Sequence, residues 1–101
     1  MMAEKVELNV HPGLFLHDYF LKSEKAPAVR LAKALKVSEK DAQDLLHGER
    51  DIDAGLALKL GEAFHTTAEF WMFRQVRWAL AAARAGKKNT SGTEKIIRLT
   101  A

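Results

Sequence analysis

The stretch from Arg30 to Arg50, RLAKALKVSEKDAQDLLHGER, constrains the fold more tightly than any other part of this chain. Leu31, Ala32 and Leu35 give a first short helix one apolar face at i, i+1, i+4 spacing. Lys36-Val37 makes a tight turn, and Ser38 is suited to cap a second helix by accepting a hydrogen bond from a backbone N–H. Asp41 follows three residues later and puts a carboxylate in the first turn, where the positive end of the helix dipole favours it. In that second helix Ala42, Leu45 and Leu46 share one face, while Glu39, Lys40, Gln43, Asp44 and His47 share the other. Gly48 is a natural left-handed stop. Two helices of this length with so short a connection fit an ordinary αα-hairpin and also a helix-turn-helix, whose second helix enters a DNA major groove.

The flanking sequence supplies three more helices. Val6, Leu8 and Val10 alternate with polar residues and suggest an extended arm over residues 1–10. His11-Pro12-Gly13 opens a helix carrying Phe15, Leu16, Tyr19 and Phe20 as a broad apolar stripe, with Pro tolerated in a first turn because its missing N–H has no partner there. Pro27 plays the same part before Leu31. Asp51 or Asp53 is placed to cap a helix bearing Leu56, Leu60, Ala63 and Phe64. Thr66 and Glu69 form a capping-box pattern for a fifth helix that should run to about Ala85, with Gly86 as its stop. The expectation is a five-helix all-α domain over residues 11–85, followed by a basic tail over 86–101 whose IIRLT run is β-prone.

Composition narrows the function. The chain has 101 residues and no cysteine, which excludes disulfides, thiolate metal sites and a Cys nucleophile. No run approaches the roughly 20 apolar residues of a membrane span, and residues 1–10 lack a signal-peptide core, so a cytoplasmic location is expected. The four histidines show no pair at metal-ligand helical spacing, and no acid–His–nucleophile set stands out. Neither a metal, a cofactor nor an enzymatic activity is expected. Net charge is +3, unevenly spread: residues 1–38 carry +2, residues 39–73 carry −5 and residues 74–101 carry +6. A basic C-terminal third suits nucleic acid or an acidic partner.

Several landmarks occur in order at close spacing: HPG at 11–13, RLAKAL at 30–35, Gly48-Glu49-Arg50, ALKL at 57–60 and TAEFW at 67–71. Together they make the chain resemble the HigA/VapI group of helix-turn-helix antitoxins, within the phage-repressor-like (XRE) superfamily, over about residues 10–80. The resemblance implies a five-helix repressor-like domain that dimerises, binds a palindromic double-stranded operator and inhibits a small HigB-like messenger-RNA-cleaving ribonuclease. It also implies repression of its own operon. It places DNA contacts on Lys33, Lys36, Ser38, Glu39, Lys40, Gln43, Asp44, His47 and Arg50.

The chain departs from the family pattern in three places. Where relatives carry a capping Ser or Thr and a phosphate-touching Gln, this sequence has Pro27 and Ala28. Where they carry a turn Gly it has Lys36, at a cost of about 1 kcal/mol if that position needs φ > 0. The reading helix is acidic: Glu39 to Asp53 hold 6 acids and 2 bases. Phosphate attraction supplies most DNA-binding affinity, so such a helix must overcome repulsion. Gln43 can still pair with adenine, and Glu or Asp can accept from cytosine N4. A stand-alone regulator, and an interaction module that has lost DNA binding, are the alternative readings. In the fifth helix the apolar set is too wide for one face. Phe73, Arg77 and Trp78 are expected to face a dimer mate or a toxin, and Ile96, Ile97 and Leu99 of the tail either pair with their copies across a homodimer interface or form a frayed end.

Overall fold

Five helices follow one another in the computed structural model, which describes residues 10–89 and 96–99: α1 (Pro12–Phe20), α2 (Pro27–Leu35), α3 (Glu39–Leu46), α4 (Ala54–Ala63) and α5 (Ala68–Asn89). The all-α expectation holds. The arm expected over residues 1–10 lies outside the described residues except for Val10. Residues 96–99 form no strand in the single chain, and no strand occurs among the described residues for them to pair with. A strand needs a hydrogen-bonded neighbour, so the β-prone IIRL run stays unpaired here, with Ile96, Ile97 and Leu99 all strongly exposed.

Helix starts follow local chemistry, with two shifts from expectation. Ser38 Oγ accepts the Asp41 N–H at 3.0 Å, as its position predicts. Of the two candidate aspartates it is Asp53 that caps α4, accepting from the Leu56 N–H at 2.8 Å. The cap of α5 is Thr67 rather than Thr66: Thr67 Oγ1 accepts the Phe70 N–H at 3.1 Å. Thr66 Oγ1 instead accepts the indole N–H of Trp71 at 2.7 Å. A buried indole needs an acceptor, and that requirement takes Thr66 away from the capping role. Gly86 does not stop α5, which continues to Asn89. Glycine in an exposed helix costs only about 1 kcal/mol, and the Ala-rich run before it has high helix propensity.

Trp71 is the centre of the core. It is fully buried, and the rings of Phe15, Phe20, Phe64 and Phe70 surround it at centroid separations of 5.1 to 6.3 Å. Leu16, Leu31, Leu35, Leu45, Leu56, Ala57 and Leu60 complete the interior from the other four helices. Two members of the apolar stripe expected on α1 are only partly absorbed: Tyr19 is 57% exposed and Phe20 38% exposed. Tyr19 stacks on Phe15 at 4.6 Å.

The HPG motif has a clear physical role. A Cβ on Gly13 would stand 1.7 Å from the Leu45 carbonyl oxygen and 2.8 Å from its carbon. Only glycine lets the first turn of α1 lie against the backbone of α3. The position of α3 in the molecule therefore depends on a residue outside the helical hairpin.

Candidate nucleic-acid interface

The α2–α3 hairpin is built as its sequence suggests. Lys36 sits in the left-handed region at φ 57°, ψ 49°, and its N–H returns to the Ala32 carbonyl. Val37 N–H reaches the same oxygen at 3.1 Å, which closes the turn. A lysine in this conformation carries about 1 kcal/mol of strain. Its side chain is exposed beside the N-terminus of α3. At the other end of α3, Gly48 adopts φ 77°, the expected left-handed stop.

Ala42, Leu45 and Leu46 bury one side of α3, which leaves Glu39, Lys40, Gln43 and His47 exposed and Asp44 half-buried on the other. This is the outer face that the periodicity predicts. The only base on it is engaged: Lys40 Nζ donates to Asp44 Oδ2 at 2.7 Å across one helical turn. That hydrogen bond, reinforced by the Asp44 charge, holds the Lys40 ammonium above its ordinary pKa of 10.5. Arg50 lies 3.9 Å from Asp53 in the loop beyond α3.

Not all of the expected contact residues share one surface. Gln43 and His47 line a depression of about 510 Å³ with Leu14, His17 and the first turn of α2 (Pro27–Val29). Lys33 belongs to a neighbouring depression of about 700 Å³ along the outer side of α2, with Lys25 and Arg30. Ala26 and Val29 line both. Lys36, Ser38, Glu39 and Lys40 gather at the turn and the first turn of α3.

Two residues hold the hairpin in place in a role that sequence reasoning did not assign them, although His11 belongs to the HPG landmark. His11 is buried at the N-terminus of α1, where its Nδ1 accepts the Gly13 N–H at 2.9 Å. With Nδ1 accepting, the ring proton sits on Nε2 and is donated to Asp51 Oδ1 at 3.0 Å. One imidazole thus ties α1 to the loop after α3. Gln75, buried on α5, accepts the Ile52 N–H from the same loop at 2.8 Å. The available signals were a polar residue directly before an N1 proline and a lone amide inside FWMFRQVRW.

The residues expected at a dimer interface divide. Phe73 is 63% exposed, with the Arg77 guanidinium 5.5 Å above its ring, and Val76 and Leu80 add further exposed apolar surface on α5. Trp78 is half-buried and packs edge-on against His11 at 4.8 Å, so part of its ring is already occupied within the chain.

Comparison with known proteins agrees with this architecture. Virulence-associated protein I of Dichelobacter nodosus is 34% identical over 80 residues, spanning 79% of this chain and 74% of that protein. Antitoxin HigA of Pseudomonas aeruginosa, solved with the higBA promoter, is 38% identical with a TM-score of 0.77, covering 91% of this chain and 99% of that one. A HigA-family addiction-module antidote protein from Coxiella burnetii is 30% identical with a TM-score of 0.75, covering 89% and 98%. No protein-family model matches the chain. The five-helix order, the α2–α3 hairpin and identity sustained over 74% to 99% of these relatives place this chain in the HigA/VapI family of helix-turn-helix antitoxins.

Proposed function

We propose that the chain is the DNA-binding antitoxin of a type II toxin–antitoxin pair, neutralising a HigB-like ribonuclease toxin and repressing its own operon. One observation carries the DNA reading: the α2–Lys36–α3 hairpin presents an exposed polar face, in a chain 38% identical to an antitoxin solved with its promoter. In this reading α3 enters the major groove, where Gln43 pairs with adenine and Glu39 accepts from cytosine N4. Lys33, Lys36, Ser38, Lys40, Asp44, His47 and Arg50 border it. The chain acts as a binding protein rather than an enzyme and works in the cytoplasm; no helix among the described residues is long and apolar enough to cross a membrane.

A second protomer covers the exposed strip of α5 around Phe73 and Arg77, with the free edge of Trp78 beside it. Ile96, Ile97 and Leu99 pair with their copies across the two-fold axis. A dimer of this kind matches a palindromic operator whose half-sites lie about 34–36 Å apart. The test is a mobility-shift titration on the palindrome upstream of the gene at low salt, alongside co-purification with the product of an adjacent ribonuclease-like reading frame. Specific retardation and a stoichiometric complex are expected. Absence of any shift by a fully helical protein would overturn the DNA reading. It would favour a repressor-like module that acts on its protein partner alone, a reading to which the acidic α3 and its engaged lysine lend weight.

A further inference from the structure

The acidic reading helix leaves open what holds this protein on a polyanion. From Glu39 to Asp53 there are 6 acids and 2 bases, and both bases are paired, Lys40 with Asp44 and Arg50 with Asp53. The first turn of α2 offers no polar side chain, because Pro27, Ala28 and Val29 occupy it and Ala26 makes no capping bond. Positive charge is concentrated just beside this zone. Residues 22–36 contain 5 bases and a single acid. Arg30 and Lys33 lie three residues apart on the side of α2 opposite the buried Leu31, Ala32 and Leu35. Lys25 joins them from the preceding loop, and the three line one shallow depression. Lys25 and Lys33 are exposed and make no ion pair among the described residues.

We infer that Lys25 and Arg30, with Lys33, form a phosphate-binding track that carries the backbone of the operator duplex along the outer side of α2. The inference rests on the DNA reading above and extends it to residues outside the α3 face. The track is continuous with that face: Ala26 and Val29 line both the basic depression and the one that contains Gln43 and His47. A duplex seated on α3 at that end therefore meets the basic surface next. Among the described residues Arg30 pairs with Glu24, at 3.5 Å, with its side chain 70% exposed. A solvent-screened surface pair of this type is weak, so a phosphate displaces Glu24 readily. Affinity and sequence reading are thereby divided: α2 grips the backbone, and the acidic α3 selects bases.

The test is operator binding by the full chain across 50–300 mM KCl, followed by fluorescence anisotropy, for wild type, the Lys25→Gln/Arg30→Gln variant and an Arg84→Gln control near the far end of α5. Each lost phosphate contact flattens the plot of log K against log salt by about 0.9, so the double variant is expected to lose about 1.8 from the slope. Its affinity should fall roughly tenfold at 150 mM, equally for operator and for unrelated duplex. An unchanged slope in a double variant of native helicity, or an equal change in the Arg84 control, overturns the track while the DNA reading stands. Absence of wild-type binding at 50 mM overturns both.

Discussion

Two sets of polar contacts around the hairpin differ in kind. On the inner side, His11, Gly13, Asp51, Ile52 and Gln75 link α1, the loop after α3, and α5 through bonds that each have at least one buried partner. On the outer side, Lys40–Asp44 and Arg50–Asp53 are ion pairs open to solvent. The inner set fixes where α3 lies, because each lost bond strands a buried group. The outer set contributes little to stability, which leaves its chemistry free to vary with the operator. This division explains how the chain keeps its family's backbone plan while the outer face of α3 is acidic.

The largest expected effect falls on the inner set. Gly13→Ala forces a Cβ into the Leu45 carbonyl, and neither element can yield without displacing the other. A loss of at least about 3 kcal/mol is expected, at the upper end of overpacking effects. Chemical denaturation measures it. A loss under 1 kcal/mol would mean that α1 and α3 slide freely, and the contrast between a fixed inside and an adaptable outside would fail.

Gln75→Leu comes next. It keeps the apolar volume of α5 but leaves the Ile52 N–H buried without its acceptor, for an expected cost of about 1–3 kcal/mol. The salt slope of DNA binding should not move, since Gln75 is buried on the side away from solvent. A change in slope without loss of stability would show that the Ile52 anchor sets how the loop after α3 meets DNA rather than how firmly the loop is held.

Both of these sites show where sequence reasoning reached its limit. The helices around the hairpin, the Ser38 cap, the Gly48 stop and the outer face of α3 all follow from contacts within four residues of one another, and periodicity reports these. The left-handed Lys36 was foreseeable because its turn position commonly asks for glycine. His65, also left-handed at φ 55°, was not, since nothing beside it marks the end of α4 as tight. The bonds from His11 to Asp51 and from Gln75 to Ile52 span 40 and 23 residues, and no local pattern encodes such a pairing. The competition for Thr66 was hidden for the same reason: the capping pattern is local, whereas the need of Trp71 for an acceptor arises only once the core closes. Periodicity also put Glu39, Lys40, Gln43, Asp44 and His47 on the side of α3 that faces away from the core. It did not separate Lys33, which lines the α2 depression, from the residues of α3.

The smallest effect on stability, and the most informative about the outer set, comes from Asp44→Asn. The Lys40–Asp44 pair spans i to i+4 with the lysine 78% exposed, so solvent screens it and its contribution to stability is slight. Its dependence on pH is also remote from neutrality. The hydrogen bond raises the Lys40 pKa above 10.5, so the stabilisation is fully present below that value and is lost only as pH rises through the raised one. Stability of the variant should therefore track wild type between pH 6 and 9. DNA binding should not. Removing the carboxylate charge frees the only base on the α3 face and cuts its negative charge by one. Binding to unrelated duplex at low salt should strengthen several-fold, with the salt slope steeper by about 0.9 for one added phosphate contact. Discrimination between operator and unrelated duplex should fall in parallel, since the pair then no longer restrains Lys40 from indiscriminate phosphate contact. An unchanged slope would place Lys40 out of reach of the backbone and leave α2 as the source of the grip.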